Sequence, residues 1–346
     1  GKFISGAASP TQPTGLLRRP ALPQPTELRE QPRRQQPPQR SGGPLEVGAA
    51  VVLSDETFHV TDALGRGSFG AVWRARSAGG RTVAIKEVAC ASRESASHVL
   101  AEAQMLRIAR QELQAVAEGE RLAERIPSLF ASTIESLSPT SWRVRLVMSE
   151  VRGSSLEYAL AAHRRARKGR GSVAAPAAAE LAHACRCTCE LVVQIAPVLE
   201  NISAKVYHRD VSPRNIQVEG LEAGEPKFGL VDFGLAVDAE RWRAMGGFGD
   251  LGGDGRYWPP SAWFAFCRGR SDLRRRRGMC HEFATRLDAH SLGIAALRCF
   301  VELLPPRSAE DAADGVREIF GVQAAWRLYW ADVCGHWKRL LATYRA

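Results

Sequence analysis

The chain reads as an α+β protein of two lobes behind a flexible arm, on three observations. From about residue 51 to about 150 the sequence runs in short β-prone stretches broken by glycine turns, and later stretches, such as 180–203, are longer and helical. Residues 1–50, with ELREQPRRQQPPQRSGGP, are rich in Pro, Gln and Arg, a composition that buries too little apolar surface to offset chain entropy. The remainder, in a chain of 346 residues and 45% hydrophobic, suffices for one large domain. The expected division is an arm over 1–50 and a domain over 51–345, with a small lobe at about 51–150 and a large lobe at about 151–345.

The arm reads as a solvated linker, or else as a basic tether for an acidic or membrane partner. A net charge of +10 favours acidic partners in general, but the excess lies in two arginine-rich segments and nothing points directly to nucleic acid. No stretch approaches the roughly 18 apolar residues of a membrane span. A monomer, cytoplasmic or secreted, is expected. The start at Gly1 without Met suggests a processed or trimmed chain, and Gly1 with Ser5 fits a myristoylation pattern if a Met preceded it.

Within the small lobe, residues 58–64 lead as a strand into GRGSFGAV, which matches GxGxxGxV. Glycines at such a turn let backbone N–H groups approach phosphates closely. A dinucleotide-binding turn would pass directly into a helix, whereas here AVWRA reads as a strand, SAGG as a turn and 81–88, with VAIK, as another strand. A β-hairpin over a nucleotide fits better. A helical pattern follows and continues to about residue 125, then two strands.

The stretch YHRDVSPRN, residues 207–215, places Asp210 and Asn215 five residues apart on a loop. That suits phosphoryl transfer, in which an Asp receives the proton of an attacking hydroxyl and an Asn holds a metal ion over the phosphates. Downstream come DFG at Asp232, Phe233 and Gly234, and DAHSLG at 288–293. With GRGSFGAV, VAIK, HRD and DFG in this order, the chain resembles the eukaryotic-type protein kinases over about 55–345.

The resemblance implies a bilobal kinase fold that uses ATP and Mg2+ to phosphorylate a protein, more in keeping with Ser/Thr than Tyr. Lys86 would meet the α- and β-phosphates, held by Glu102, with Glu94 the other candidate. Asp210 would be the base, and Asn215 and Asp232 would hold the metal. The nucleotide cleft would be lined by Leu64, Gly65, Gly67, Ser68, Gly70, Val72, Ala84, Lys86, Met148 as gatekeeper, Glu150 and Val151 of the hinge, Ser155 near the ribose, and Gln217 beneath the adenine. Asp288 would brace the catalytic loop.

Several departures bear on activity. Ser212 stands where Ser/Thr kinases carry a Lys, so Arg214 is the candidate cation, as in many tyrosine kinases. The activation segment, 232–260, has no Ser or Thr, which leaves Tyr257 or the acids Asp238, Glu240 and Asp250 as partners for Arg209. Asp254 replaces a Thr beside the catalytic Asp, and a second carboxylate there would raise the pKa of one of the pair. The APE triplet reads PPS, without its Glu. A pseudokinase scaffold is therefore the main alternative and a small-molecule kinase a further one.

The basic run 163–180 and the arginine-rich segment 262–286 read as surface loops, the latter also as a dock for an acidic substrate. The RYWPP run, the basic arm and the large-lobe cysteines also resemble those of secreted rhoptry kinases of coccidian parasites, which would imply a secretory route. In CRCTC, Cys185 and Cys189 would share a helix face while Cys187 points elsewhere, a poor metal site. Cys267, Cys280, Cys299 and Cys334 read as disulfides in a secreted chain or as free buried thiols.

Overall fold

The computed structural model describes residues 43–53, 55–67, 70–169, 177–244, 251–305 and 314–345. Most of the proposed arm, and with it Ser68, Asp250 and residues 170–176, lies outside them. Residues 43–50, counted with the arm above, pack on the domain: Leu45 is buried and its N–H donates to Glu87 Oε1 at 3.0 Å.

Six strands form one antiparallel sheet: β1 (Ala50–Leu53), β2 (Glu56–Gly67), β3 (Gly70–Ser77), β4 (Thr82–Cys90), β5 (Leu129–Ser138) and β6 (Ser141–Ser149), in the order β1-β2-β3-β4-β6-β5. Strand β4 is buried on both faces, and the period of two sorts its side chains. Val83 and Ile85 join Phe58, Val60 and Trp73 on one face, while Ala84 and Val88 meet Ala103 and Leu146 on the other. Lys86, two residues from each of those, therefore points toward the helix packed on that second face. This helix, α1 (Arg93–Gln114), begins at a capping box in which Ser92 and Ser95 satisfy each other's backbone N–H. Its buried stripe of Ala96, Ala103, Leu106, Ala109 and Leu113 includes Glu102, a carboxylate that needs a partner there.

The helical pattern expected to reach residue 125 breaks. Helix α1 stops at Gln114, and α2 (Gly119–Ala123) is a separate turn and a half. At Gly119 a Cβ would lie 2.5 Å from the Leu113 carbonyl, so glycine permits the chain to fold back on itself.

In the large lobe α3 (Leu156–Gly169), α4 (Ala177–Ile202) and α9 (Leu287–Leu303) enclose a core that includes Leu160, Leu191, Ile195, Phe228, Leu230 and Leu292. Between the lobes lie two small sheets. One orders β10 (Lys227–Leu230), β9 (Ile216–Glu219) and β7 (Ser154–Ser155); the other pairs β8 (Val206–Tyr207) with β11 (Val237–Asp238). The chain then forms α5 (Ala239–Ala244), α6 (Pro260–Arg268), α7 (Arg270–Arg274), α8 (Arg277–Thr285) and, after α9, the long α10 (Asp314–Arg345).

Two expected loops are corrected. Residues 163–169 continue α3, where the arginines find carboxylates and carbonyls: Arg164 pairs with Glu302 and Arg167 donates to the Leu304 carbonyl at 2.7 Å. The segment 262–286 is largely helical, because Leu273 and Phe283 are buried with Trp242 and Trp258. Its Glu282 accepts the N–H of Ser261 at 3.2 Å, so this segment holds the start of α6 in place.

Candidate active site

The site begins with an ion triad between the lobes. Lys86 Nζ donates to both carboxylate oxygens of Glu102 at 2.8 Å and to Asp232 Oδ1 at 2.7 Å. Burial alone would lower the lysine pKa, but Glu102 and Asp232 outweigh it and hold the ammonium above its ordinary range. Burial would push Asp232 up, yet the charge and hydrogen bond of Lys86 keep it below the usual carboxylate range. Glu94, by contrast, sits in the exposed first turn of α1.

The catalytic-loop residues are held from beneath. Asp288, in the first turn of α9, accepts the backbone N–H groups of His208 and Arg209, each at 2.7 Å. His208 Nε2 lies 3.2 Å from the Val231 carbonyl and its Nδ1 accepts the Asp210 N–H at 3.3 Å, so backbone groups engage both ring nitrogens. Phe233 stands edge-on to that ring at 4.7 Å. Arg209 and Asp232 adopt φ of 67° and 64°, a left-handed backbone that costs energy for non-glycine residues and gathers at functional sites.

Asp210 is aimed by two donors. Asn215 Nδ2 reaches its Oδ2 at 2.8 Å and the backbone N–H of Asp254 reaches its Oδ1 at 3.0 Å. Burial raises its pKa above the ordinary carboxylate range. The expected clash of Asp254 with Asp210 does not occur. The Asp254 carboxylate turns away to Arg214 Nη2 at 2.7 Å and Arg256 Nε at 2.9 Å, and although burial opposes it, Arg256 and then Arg214 keep the group below the usual range. Gly253 makes this possible: its φ is +89° and a Cβ there would stand 2.6 Å from the Arg209 carbonyl.

A protein-family model, that of the protein kinase domain, matches residues 58–330. The chain belongs to the protein kinase family. No curated protein matches it. The match carries kinase chemistry in general, transfer of a phosphoryl group onto a protein, and it covers most of the sheet and of the helical part of this kinase.

The remaining residues expected to line the nucleotide cleft of this kinase are placed as follows. Ala84 and Met148 are register partners across β4 and β6 and pack with Val72. Gln217 and Ser155 are register partners across β9 and β7, but Ser155 Oγ accepts the Tyr158 N–H at 3.2 Å and so serves the start of α3. Val151 packs against β10, where a Cβ at Gly229 would come within 2.5 Å of its side chain. The Glu150 side chain is taken by Arg74, with Nε to Oε2 at 2.8 Å and Nη2 to Oε1 at 2.6 Å, which ties the hinge to β3. Gly65 pairs with Val72 and Gly67 with Gly70 at the turn of the hairpin, and Leu64 is exposed beside them. Gly70, at φ +125°, would place a Cβ 2.2 Å from the Glu87 carbonyl, so no other residue fits there.

Other expectations for the kinase are corrected. Of the acids proposed for Arg209, Asp238 accepts the Arg241 N–H at 2.7 Å and Glu240 pairs with Lys205 at 2.8 Å, while the Arg209 guanidinium stacks 4.7 Å over Trp242. Tyr257 is no accessible phosphate acceptor: it is 2% exposed, Arg298 donates to its hydroxyl, and burial pushes its pKa up to about 12. Ser212 is buried and its Oγ has no partner among the described residues. All eight cysteines are free, and among the described residues no helix is long and apolar enough to cross a membrane.

Sequence reading missed Arg256, Glu282 and the tryptophans of α10. A signal was present: Trp326, Trp330, Cys334 and Trp337 recur at helical spacing, which marks an apolar stripe that packs on a neighbour.

Proposed function

We propose that the chain is an active protein kinase that transfers the γ-phosphate of ATP to a protein hydroxyl, that of Ser or Thr in preference to Tyr. The observation that carries this is the triad of Lys86 with Glu102 and Asp232, made while Asp210 is held by Asn215 and Asp254. Both halves of the machinery are engaged together. Pro213, in the catalytic loop, supports the Ser/Thr preference.

In this reading Asp210 orients the acceptor hydroxyl and takes its proton, a task that its raised pKa favours at neutral pH. Lys86, kept charged by its two carboxylates, faces the phosphates. Asn215 and Asp232 would hold Mg2+, and the donors fit a hard cation. The Asn215 amide N–H groups are spent on the Asp210 carbonyl and carboxylate, which leaves its carbonyl oxygen to the metal, and Asp232 is ionised. The ion, when bound, supplies charge neutralisation on the phosphates.

A second reading, a scaffold that binds nucleotide without efficient transfer, draws on one observation. Arg214 is engaged by Asp254 and Ser212 is buried, so neither candidate position offers a cation to the γ-phosphate. Transfer of label from γ-labelled ATP with Mg2+ to a mixed protein substrate decides between them. Label on Ser or Thr that disappears in Asp210→Asn supports the kinase reading; nucleotide binding without any transfer supports the scaffold.

A further inference from the structure

The α10 helix lies across the end of the activation segment, and its contacts lead back to the catalytic carboxylate. The Trp330 ring lies 5.7 Å from the Arg256 guanidinium carbon and 5.5 Å from the Tyr257 ring. One turn on, the Cys334 side chain faces Arg256. Another turn on, Trp337 packs 5.5 Å from Trp258 and so close to Gly255 that a Cβ there would stand 2.6 Å from its ring. Residues 330, 334 and 337 share one helix face, so this is a single continuous contact.

Arg256 is where that contact turns into position. Its guanidinium grips the Asp254 carboxylate, whose side chain is wholly buried, and the Asp254 N–H in turn donates to Asp210 Oδ1 at 3.0 Å. The backbone between them is short and tightly turned: residues Gly255–Tyr257 form one 3-10 turn, capped by the same Asp254 carboxylate. A displacement of Arg256 is therefore a displacement of the donor that aims Asp210. Elsewhere in this segment the ion pair of the APE triplet is missing, since its Glu position is Ser261.

We propose that α10 is an internal brace for catalysis, with Trp330 and Arg256 as positioning residues that set Asp254 and, through it, Asp210. This rests on the reading of Asp210 as the catalytic base. The brace lies outside the segments usually credited with control of such a loop and needs no phosphate on the activation segment. It also explains how residues 254–257, in a segment with no Ser or Thr, can be held in place.

The test compares the full chain with Trp330→Ala and Trp330→Phe, reading kcat and the KM for ATP in phosphate transfer and, separately, amide exchange at Asp254. The expected result is a fall in kcat on the order of 10- to 100-fold for the Ala variant, the scale of a small misplacement of a catalytic group. KM for ATP should stay within about twofold, because the contact is made on the acceptor side. The Phe variant, which keeps an aromatic face for Arg256, should recover most of the rate. Unchanged kcat in Trp330→Ala, or a parallel loss of ATP affinity not recovered by Phe, overturns the brace. If Trp330→Ala does not fold, Arg256→Gln replaces it under the same two outcomes. If the wild-type chain transfers no phosphate, exchange still decides: faster exchange at the Asp254 amide in the variant supports the brace, and an unchanged rate overturns it.

Discussion

Asp288 accepts the backbone N–H of Arg209 at 2.7 Å, from a side chain that lies 80 residues further along the chain than His208, its other donor. A single buried carboxylate thus anchors two successive amides of the catalytic loop, one of them in a left-handed conformation. Asp288→Ala leaves both donors without their acceptor, at about 1–3 kcal/mol each. Chemical denaturation should show a loss of that order together with a fall in kcat; a variant of wild-type stability would remove Asp288 from the role of anchor.

Lys86 and Glu102 are buried as a pair, so each is costly without the other. Lys86→Met is expected to destabilise the fold by about 3–5 kcal/mol, because it strands a buried carboxylate. Combining it with Glu102→Gln should recover much of that stability and none of the activity. Thermal unfolding and transfer assays on the single and double variants measure the two effects, and equal stability of the single and double variants would contradict the buried pairing.

The pKa of Asp210 is raised by burial. As the proposed base it must be ionised, so kcat should fall as pH drops through that raised value, with the acid limb above the ordinary value of about 3.9. A pH profile of kcat at saturating ATP tests this. An acid limb at or below the ordinary value would assign it to another group.

Asp254 shifts the other way, and the consequence is for stability. Its folded-state pKa lies below its unfolded value, so its pairing with Arg256 and Arg214 stabilises the fold above the unfolded pKa, near about 3.9, and is lost as pH falls through the folded value. Asp254→Asn should cost about 1–3 kcal/mol at neutral pH and progressively less toward the acid end of that window. Unfolding free energies of the two proteins from pH 7 downward give the measurement, and a difference that does not change with pH would rule out the ionised pair.

Much of the candidate site was legible because it resides in short motifs. Lys86, Asp210, Asn215 and Asp232 each sit in a run of residues whose spacing carries their chemistry, and the period of a strand and the stripe of a helix suffice to bring Lys86 to Glu102. Roles that depend on orientation were not legible. Asp254 was correctly placed beside Asp210, but whether its carboxylate or its N–H faces the base depends on Arg214 and Arg256, and on a glycine backbone at 253. The arginine-rich segment 262–286 was read as a loop because its charges mask a few apolar anchors, Leu273 and Phe283 among them.

The amino-acid sequence by itself determined the sheet with its glycine turn, the order of the motifs and the identity of the groups proposed to move a phosphoryl group, since these follow from local periodicity and from residue chemistry. Which way the Asp254 carboxylate points, that Arg209 rests on Trp242, and that α10 meets Arg256 through Trp330 were decided by folding alone. Those contacts join residues far apart in the chain, and packing and charge compensation select them only once the lobes have brought them within reach.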